Sequence, residues 1–135
     1  MRFVSRLGVM AAVAAISAAA ISQNAGTPAK SADEAKKAIE ARQQVFKDMK
    51  KANDVMSAML KNQREFDPAL VATSAAQIQE LSAKIPGAHL VDTRQFPDIK
   101  TAARENIWVS LADFKTKSDD TAKAAANVVA VAKGG

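Results

Sequence analysis

The sequence predicts an all-α protein, an antiparallel helical bundle of the four-helix type in which only three long helices are present. The first observation is composition, because 48% of the 135 residues are hydrophobic, alanine is frequent, and only 5 Gly and 4 Pro occur. Such a composition favours helices. The second observation is that apolar residues recur at three- and four-residue spacing. Three stripes of this kind with relatively short connections are typical of antiparallel bundles.

The N-terminal residues 1–25 are predicted to be a signal peptide and not part of the fold. Arg2 and Arg6 provide positive charge, residues 7–21 are apolar or small, and small residues between Ala20 and Ala25 are suitable for cleavage. The apolar run is too short to predict a membrane span. We therefore expect export without stable membrane insertion after cleavage, with a retained anchor as the alternative.

The charge balance and the motif content argue against nucleic-acid binding and against catalysis. Without Arg2 and Arg6, 17 basic residues remain against 14 acidic ones, and they are spread along the helices. A nucleic-acid interface needs a clustered basic patch. The sequence also lacks a nucleophile–histidine pattern and a Gly-rich phosphate loop. We expect neither a nucleic-acid partner nor an enzyme.

The domain is predicted to span residues 31–135, and its first helix begins at Ser31. Ser31 and Glu34 form a capping box, and neither Gly nor Pro follows until Pro68. Methionines at helical spacing on this helix are predicted to pack in the core and not to bind metal. The predicted apolar stripe consists of Ala35, Ile39, Val45, Phe46, Met49, Ala52, Val55, Met56, Met59 and Leu60.

The second helix is predicted to begin at Asp67 and Pro68 and to end at Pro86 and Gly87. The residues that follow, 86–98, are predicted to be irregular. This stretch contains the single histidine of the sequence, His89. A metal site needs several convergent ligands. A lone imidazole in a loop is therefore not expected to bind a metal.

The third long helix is predicted to begin near Ser110 and to end at Gly134, because Gly is common just after a helix. A short helical turn is predicted between residues 101 and 109. Asp113 lies three residues after Ser110 and is placed to complete a weaker capping pair with it.

Three segments of the chain resemble one known family when their order and spacing are taken together. Residues 38–47 contain the pair Arg42–Gln43, residues 66–69 and 84–87 frame the second helix, and residues 101–108 end in Ile-Trp before Phe114. They resemble the cytochrome c′ family, the class II c-type cytochromes of bacterial periplasms. The resemblance implies a periplasmic four-helix bundle that binds haem and iron, in electron transfer or small-gas binding.

The resemblance also implies a set of haem-contacting residues. Arg42 and Gln43 match positions at the haem edge, where a guanidinium can pair with a propionate. Phe46 matches the residue that covers the distal face of the iron, and its lack of a lone pair implies a five-coordinate, high-spin iron. Trp108 and Phe114 would wall the pocket. Without the family, the polar pair is interpreted as a solvated helix face and the aromatic residues as core anchors.

In the family, a fourth helix carries Cys-x-x-Cys-His, which attaches haem c and supplies the axial histidine. The sequence contains no cysteine, so covalent attachment is not possible with these residues, and no metal ligand is predicted. We expect a chain truncated before that helix, with an apolar groove open to water. Made alone, it is expected to be molten, self-associating or degraded.

Two alternatives to the truncated cytochrome stay open, and two kinds of partner are expected. One alternative is a haem-free periplasmic helical module that binds a partner or acts as a small chaperone. The other is noncovalent haem binding through a Met and His89. The family resemblance further implies a homodimer formed through the first two helices, and a periplasmic redox partner that the sequence does not identify.

Overall fold

The computed structural model describes residues 26–134, so the predicted signal peptide lies outside the described residues. In the described range the all-α bundle with three long helices is confirmed. The elements in chain order are β1 (Thr27–Pro28), α1 (Ala32–Leu60), α2 (Pro68–Ala88), β2 (Val91–Asp92), α3 (Asn106–Val109) and α4 (Leu111–Gly134).

Side-chain caps explain where α1 and α2 begin. Ser31 Oγ accepts a hydrogen bond from Glu34 N at 3.1 Å, and Glu34 Oε2 accepts one from Lys30 N at 2.6 Å. At the second helix, Asp67 Oδ1 accepts from Leu70 N at 3.1 Å. These bonds satisfy backbone amides that have no partner within their own helix. Both predicted helix starts are therefore confirmed.

The end of α2 differs from the prediction. The helix passes through Pro86 and Gly87 and ends at Ala88. Proline has no N–H to donate to the carbonyl four residues earlier, which belongs to Ser82. The Ser118 hydroxyl of α4 donates to that carbonyl at 2.6 Å instead. A neighbouring helix thus supplies the missing hydrogen bond, and the helix continues for two more residues.

A short parallel ladder joins the residues before α1 to the segment after α2. Thr27 pairs with Val91 and Pro28 with Asp92. Thr27 N donates to Leu90 O at 2.7 Å. Neither strand is predictable from the sequence, because the pairing connects residues more than 60 positions apart and leaves no local pattern. The ladder brings residues before Ser31 into the fold.

Helix α2 lies between the other two long helices and packs against both, whereas α1 and α4 make little direct contact. The core is built mainly from small side chains, and the predicted stripe of α1 is only partly buried, since Leu60 is exposed. Within residues 26–134, no helix combines the length and apolar character needed to cross a membrane. The separation of α1 from α4 leaves a cavity between the two helices. The buried apolar residues are Ala29, Ala35, Ile39, Ala52, Met59, Ala72, Ala75, Leu81, Ile85, Trp108, Leu111 and Ala125.

Candidate functional site

A largely apolar cavity of about 560 Å³ lies between α1, the segment of residues 101–107 and the first turn of α4. Its volume is within the range of roughly 300–1,000 Å³ that is usual for small-molecule and cofactor sites. The lining residues are Ile39, Arg42, Gln43, Phe46, Lys47, Lys50, His89, Thr101, Ala102, Ala103, Ile107 and Phe114.

Helical spacing explains how α1 contributes so much of this lining. Ile39, Gln43, Phe46 and Lys50 are separated by four, three and four residues, so they lie on one face of the helix. Phe46 is 47% exposed even though it is a large aromatic residue. The amide of Gln43 and the amino group of Lys50 therefore share a helix face with an aromatic ring whose surface is only half covered.

His89 lies directly after α2 and forms the inner wall of the cavity. Only 3% of its surface is exposed. Its ring centroid is 4.7 Å from that of Phe114 and 6.3 Å from that of Phe46, and both pairs meet edge to face. Edge-to-face contacts of this kind are favourable for aromatic rings. The imidazole is thus held in one orientation between two phenylalanines.

The tautomer of His89 follows from its hydrogen bond. Nδ1 is 2.8 Å from Ile85 O, and a carbonyl can only accept, so Nδ1 carries the hydrogen and Nε2 carries a lone pair. Among the described residues, Nε2 has no hydrogen-bond partner. Burial lowers the pKa of His89, the bond to Ile85 raises it and the positive Arg42 lowers it, with a net decrease. The imidazole is therefore neutral at pH 7.

A polar cluster, which we call the anchor, lies beside the cavity and consists of Arg42, Asp92, Arg94 and Trp108. Arg42 is 3% exposed. Its guanidinium donates to Ala88 O at 2.9 Å, to Thr93 Oγ1 at 3.3 Å and to Val91 O. These three bonds tie α1 to the segment that follows α2.

The indole of Trp108 completes the anchor. Arg42 Cζ is 5.1 Å and Arg94 Cζ is 5.8 Å from the centroid of the indole ring, distances at which a cation is attracted to the ring face. Trp108 Nε1 donates to His89 O at 2.9 Å. The anchor therefore fixes the backbone of the histidine that lines the cavity.

Asp92 balances the charge of the two arginines. Arg94 bonds its carboxylate at 2.6–3.0 Å. Burial would raise the pKa of Asp92, but the hydrogen bonds and positive charge of Arg94, together with the charge of Arg42, lower it overall. Asp92 is ionised at neutral pH, so the buried guanidinium of Arg42 has a nearby counter-charge.

Gly26 closes the anchor from the N-terminal side. Its φ is +71°, a conformation that glycine adopts without steric cost. A Cβ atom at this position would lie 2.7 Å from Trp108 Cδ1 and 3.0 Å from Leu90 O. A glycine is therefore required where the chain passes over the indole.

The structure brings the five predicted site residues close together but divides them between two roles. Gln43, Phe46 and Phe114 line the cavity. Arg42 touches the cavity while its guanidinium holds the anchor, and Trp108 is buried in the anchor outside the cavity lining. The pairing of Arg42 with a propionate stays a prediction, and the structure gives this side chain a second, structural role.

His89 is not among the five predicted site residues. The sequence predicts a lone imidazole in a loop without a second metal ligand, whereas the structure buries the ring against Phe46 and Phe114 at the cavity wall. The local sequence carries little signal for this, because α1 and α4 supply the contacts. Over the described residues, no three His, Cys, Asp or Glu side chains form a metal-binding group.

An open apolar cavity within a bundle of long helices is typical of a helical-bundle protein that binds a cofactor or another apolar ligand. Residues 37–135 match the family described as Cytochrome C′. The chain belongs to the cytochrome c′ family.

The chain is 37% identical over 76 residues to a cytochrome c′ from Rhodopseudomonas palustris. The matched region covers 56% of this chain and 51% of the relative, so the chain spans about half the length of that relative. No solved structure shows a significant match.

Proposed function

We propose that this chain forms the haem-binding surface of a periplasmic cytochrome c′-type protein with a role in electron transfer or small-gas binding. The observation that carries the proposal is the apolar cavity between α1 and α4, lined by aromatic residues on both sides. Membership of the cytochrome c′ family supports haem as the ligand. The proposed role is binding and not catalysis.

The residues present fit a haem by size and by chemistry. The cavity has the volume of a cofactor site, and a porphyrin is a flat apolar group that Phe46, Phe114 and Ile107 can pack against. The propionates of a haem need a polar edge, and Gln43, Lys47 and Lys50 supply amide and ammonium groups on one face of α1.

Each group of residues has a definite part in this proposal. Phe46 and Phe114 would pack against the porphyrin and exclude water, and Lys47 would pair with its carboxylates. A bound haem supplies the iron at which an electron is accepted or a small gas is held. Covalent attachment needs cysteines, which this sequence does not contain. The chain by itself would hold haem only noncovalently.

Periplasmic location, truncation before a haem-bearing helix and homodimer formation belong to the same proposal. The positive and apolar N-terminal sequence supports export. The exposed half of Phe46 and the gap between α1 and α4 support a missing helical neighbour. The intact mass of the protein isolated from its own periplasm tests truncation, because an extra helix plus haem would exceed the mass of the given sequence without its signal peptide.

Hemin titration of the purified chain tests the proposed function. We expect a Soret band that saturates at one hemin per chain and that acid–acetone extraction removes. Ala102→Trp places an indole in the cavity and should weaken binding by about tenfold or more. Ala83→Trp, on an exposed part of α2 outside the cavity lining, is the matched control. Equal hemin affinity of both variants would contradict the proposed site.

A second candidate function is a haem-free helical module that binds a partner or acts as a chaperone. It is favoured by a groove of about 300 Å³ between the start of α2 and the end of α4, lined only by apolar side chains and Asn127. Phe66 is 68% and Val131 is 76% exposed there. Exposed apolar patches of this kind often mark interaction surfaces. Failure of the native chain to bind hemin would favour this candidate.

A further inference from the structure

The ionisable side chains that line the cavity are all basic. Among the described residues they are Arg42, Lys47, Lys50 and His89, and neither an aspartate nor a glutamate belongs to the lining. The guanidinium of Arg42 is bonded within the anchor, whereas Lys47 and Lys50 are exposed. We call their exposed side of the cavity its mouth. An anionic group is therefore favoured at the mouth.

Lys47 is the more available of the two lysines at the mouth. Lys50 Nζ is 2.5 Å from Asp54 Oδ2, and Lys47 has no acidic partner among residues 26–134. Gln43 lies four residues before Lys47, so the two side chains are neighbours on α1. A lysine presents three N–H donors and a glutamine amide two. The pair can thus hold a carboxylate together.

The buried side of the cavity is unsuitable for a carboxylate. Ile39 and His89 are 5% and 3% exposed, and Phe114 packs on the imidazole. His89 Nε2 carries a lone pair at pH 7, and a carboxylate has only acceptors to place against it. An apolar chain meets no such repulsion. The cavity is therefore amphipathic, with an apolar interior and a basic mouth.

We propose that, when no haem is present, the cavity binds a free fatty acid, with its hydrocarbon tail inside and its carboxylate at Lys47. This ligand needs neither iron nor a further helix, so the proposal goes beyond haem binding. Phe46, which is 47% exposed, gains cover from the tail. A fatty acid and a haem both join an apolar body to carboxylates, so they should compete for the same cavity.

Calorimetric titration of the purified chain with octanoate and decanoate, both kept below the concentrations at which they form micelles, tests the tail. We expect one molecule per chain and an affinity that rises by about fourfold for each added methylene. Decylamine has a tail of similar length with a positive head and should bind about tenfold more weakly than decanoate. Equal affinities for decanoate and decylamine would overturn the proposal, because the head would then play no part.

A matched pair of charge reversals tests the mouth. Lys47→Glu should weaken decanoate binding by about tenfold. Lys37→Glu makes the same change in net charge at an exposed position of α1 outside the cavity lining, and it should leave the affinity unchanged. Ala102→Trp, which fills the cavity, should weaken binding by about tenfold or more. Equal effects of the two charge reversals, or unchanged binding by Ala102→Trp, would overturn the proposal.

Hemin and decanoate titrations of one preparation keep the fatty-acid site distinct from the haem function. A chain that binds decanoate but not hemin would support the fatty-acid site and contradict haem binding. A chain that binds hemin but not decanoate would overturn the fatty-acid site alone.

Discussion

The anchor and the cavity both contain neighbouring residues of α1. In the anchor the polar side chains are hydrogen-bonded and mostly buried, whereas at the cavity an apolar ring stays half exposed. Arg42 is buried with three hydrogen bonds and a carboxylate nearby. Gln43 and Phe46, one and four residues further on, face a cavity and stay exposed. A sequence signature shared with a family can therefore contain one residue that holds the fold and another that meets the ligand.

The largest expected effect comes from removing the centre of the anchor. Arg42→Ala leaves Ala88 O, Val91 O and Thr93 Oγ1 without their donor and removes a positive charge near Asp92, and it should lower the free energy of unfolding by about 3–5 kcal/mol. Phe46→Ala should lower it far less, by about 1.5 kcal/mol or less, because the ring is half exposed. Urea denaturation followed by the fluorescence of the single tryptophan, Trp108, measures both values.

Hemin binding by the same two variants distinguishes the role of the anchor from the role of the cavity. Phe46→Ala should weaken hemin binding while the fold persists. An Arg42→Ala chain as stable as the native protein, or a Phe46→Ala chain that unfolds more easily than Arg42→Ala, would show that the two regions are not divided as described.

A smaller effect is expected where the chain passes over Trp108. Gly26→Ala adds a Cβ atom that would lie 2.7 Å from the indole, at a φ of +71°. This clash and strain should cost about 1–3 kcal/mol. Gly87→Ala is the control, because no atom lies within 4 Å of its added Cβ and the residue is helical. Thermal unfolding should show that the control is slightly more stable than the native chain, by about 0.4–1 kcal/mol.

The hydrogen bond between α2 and α4 should contribute less than the anchor. Ser118→Ala leaves the Ser82 carbonyl without the donor that replaces the missing N–H of Pro86, at a cost of about 1–2 kcal/mol. Pro86→Ala restores that N–H. In the Pro86→Ala background, Ser118→Ala should therefore cost less, and a double-mutant cycle measures the difference. Strictly additive effects would contradict this account of why the helix continues.

The smallest effect is a pH dependence of stability caused by His89. Its pKa is lowered in the folded chain, so the unfolded chain binds its proton first as the pH falls. Stability is then full above the unfolded pKa of about 6.5 and is lost as the pH falls through the lower folded pKa. Urea unfolding from pH 7.5 to 5 should show this decline.

His89→Gln should flatten that decline and so identify its source. The charged groups near the ring include Arg42, whose guanidinium does not lose its proton in proteins, and Asp92, which stays ionised because its pKa is lowered. Lys47 and Lys50 also line the cavity. An equal slope in the variant and the native chain would assign the decline to other groups.

The parts of the fold that were predicted correctly are those with local signals. Ser31 with Glu34 and Asp67 with Pro68 mark helix starts through bonds between residues three apart. The extension of α2 beyond Pro86 was not predictable, because the compensating hydroxyl comes from Ser118 on another helix. The β1–β2 ladder was missed for the same reason.

The candidate site was predictable only in part, through the family resemblance. That resemblance implies haem contacts for Gln43, Phe46 and Phe114, which the structure places around one cavity. Burial of Arg42 was not predictable from sequence, since a charged residue on an amphipathic helix is usually solvated. The position of His89 depends on contacts with two helices far away in the chain, and no local pattern marks it.

The measurement that tests the central claim most directly is an NMR map of hemin on the isotope-labelled chain. Ferric hemin is paramagnetic and broadens signals of nearby nuclei. If the cavity between α1 and α4 is the haem site, the signals of Ile39, Phe46 and Phe114 should broaden while those of Phe66, Val128 and Val131 stay unchanged. Broadening confined to the Phe66–Val131 groove would contradict the claim and place the ligand on the other apolar surface.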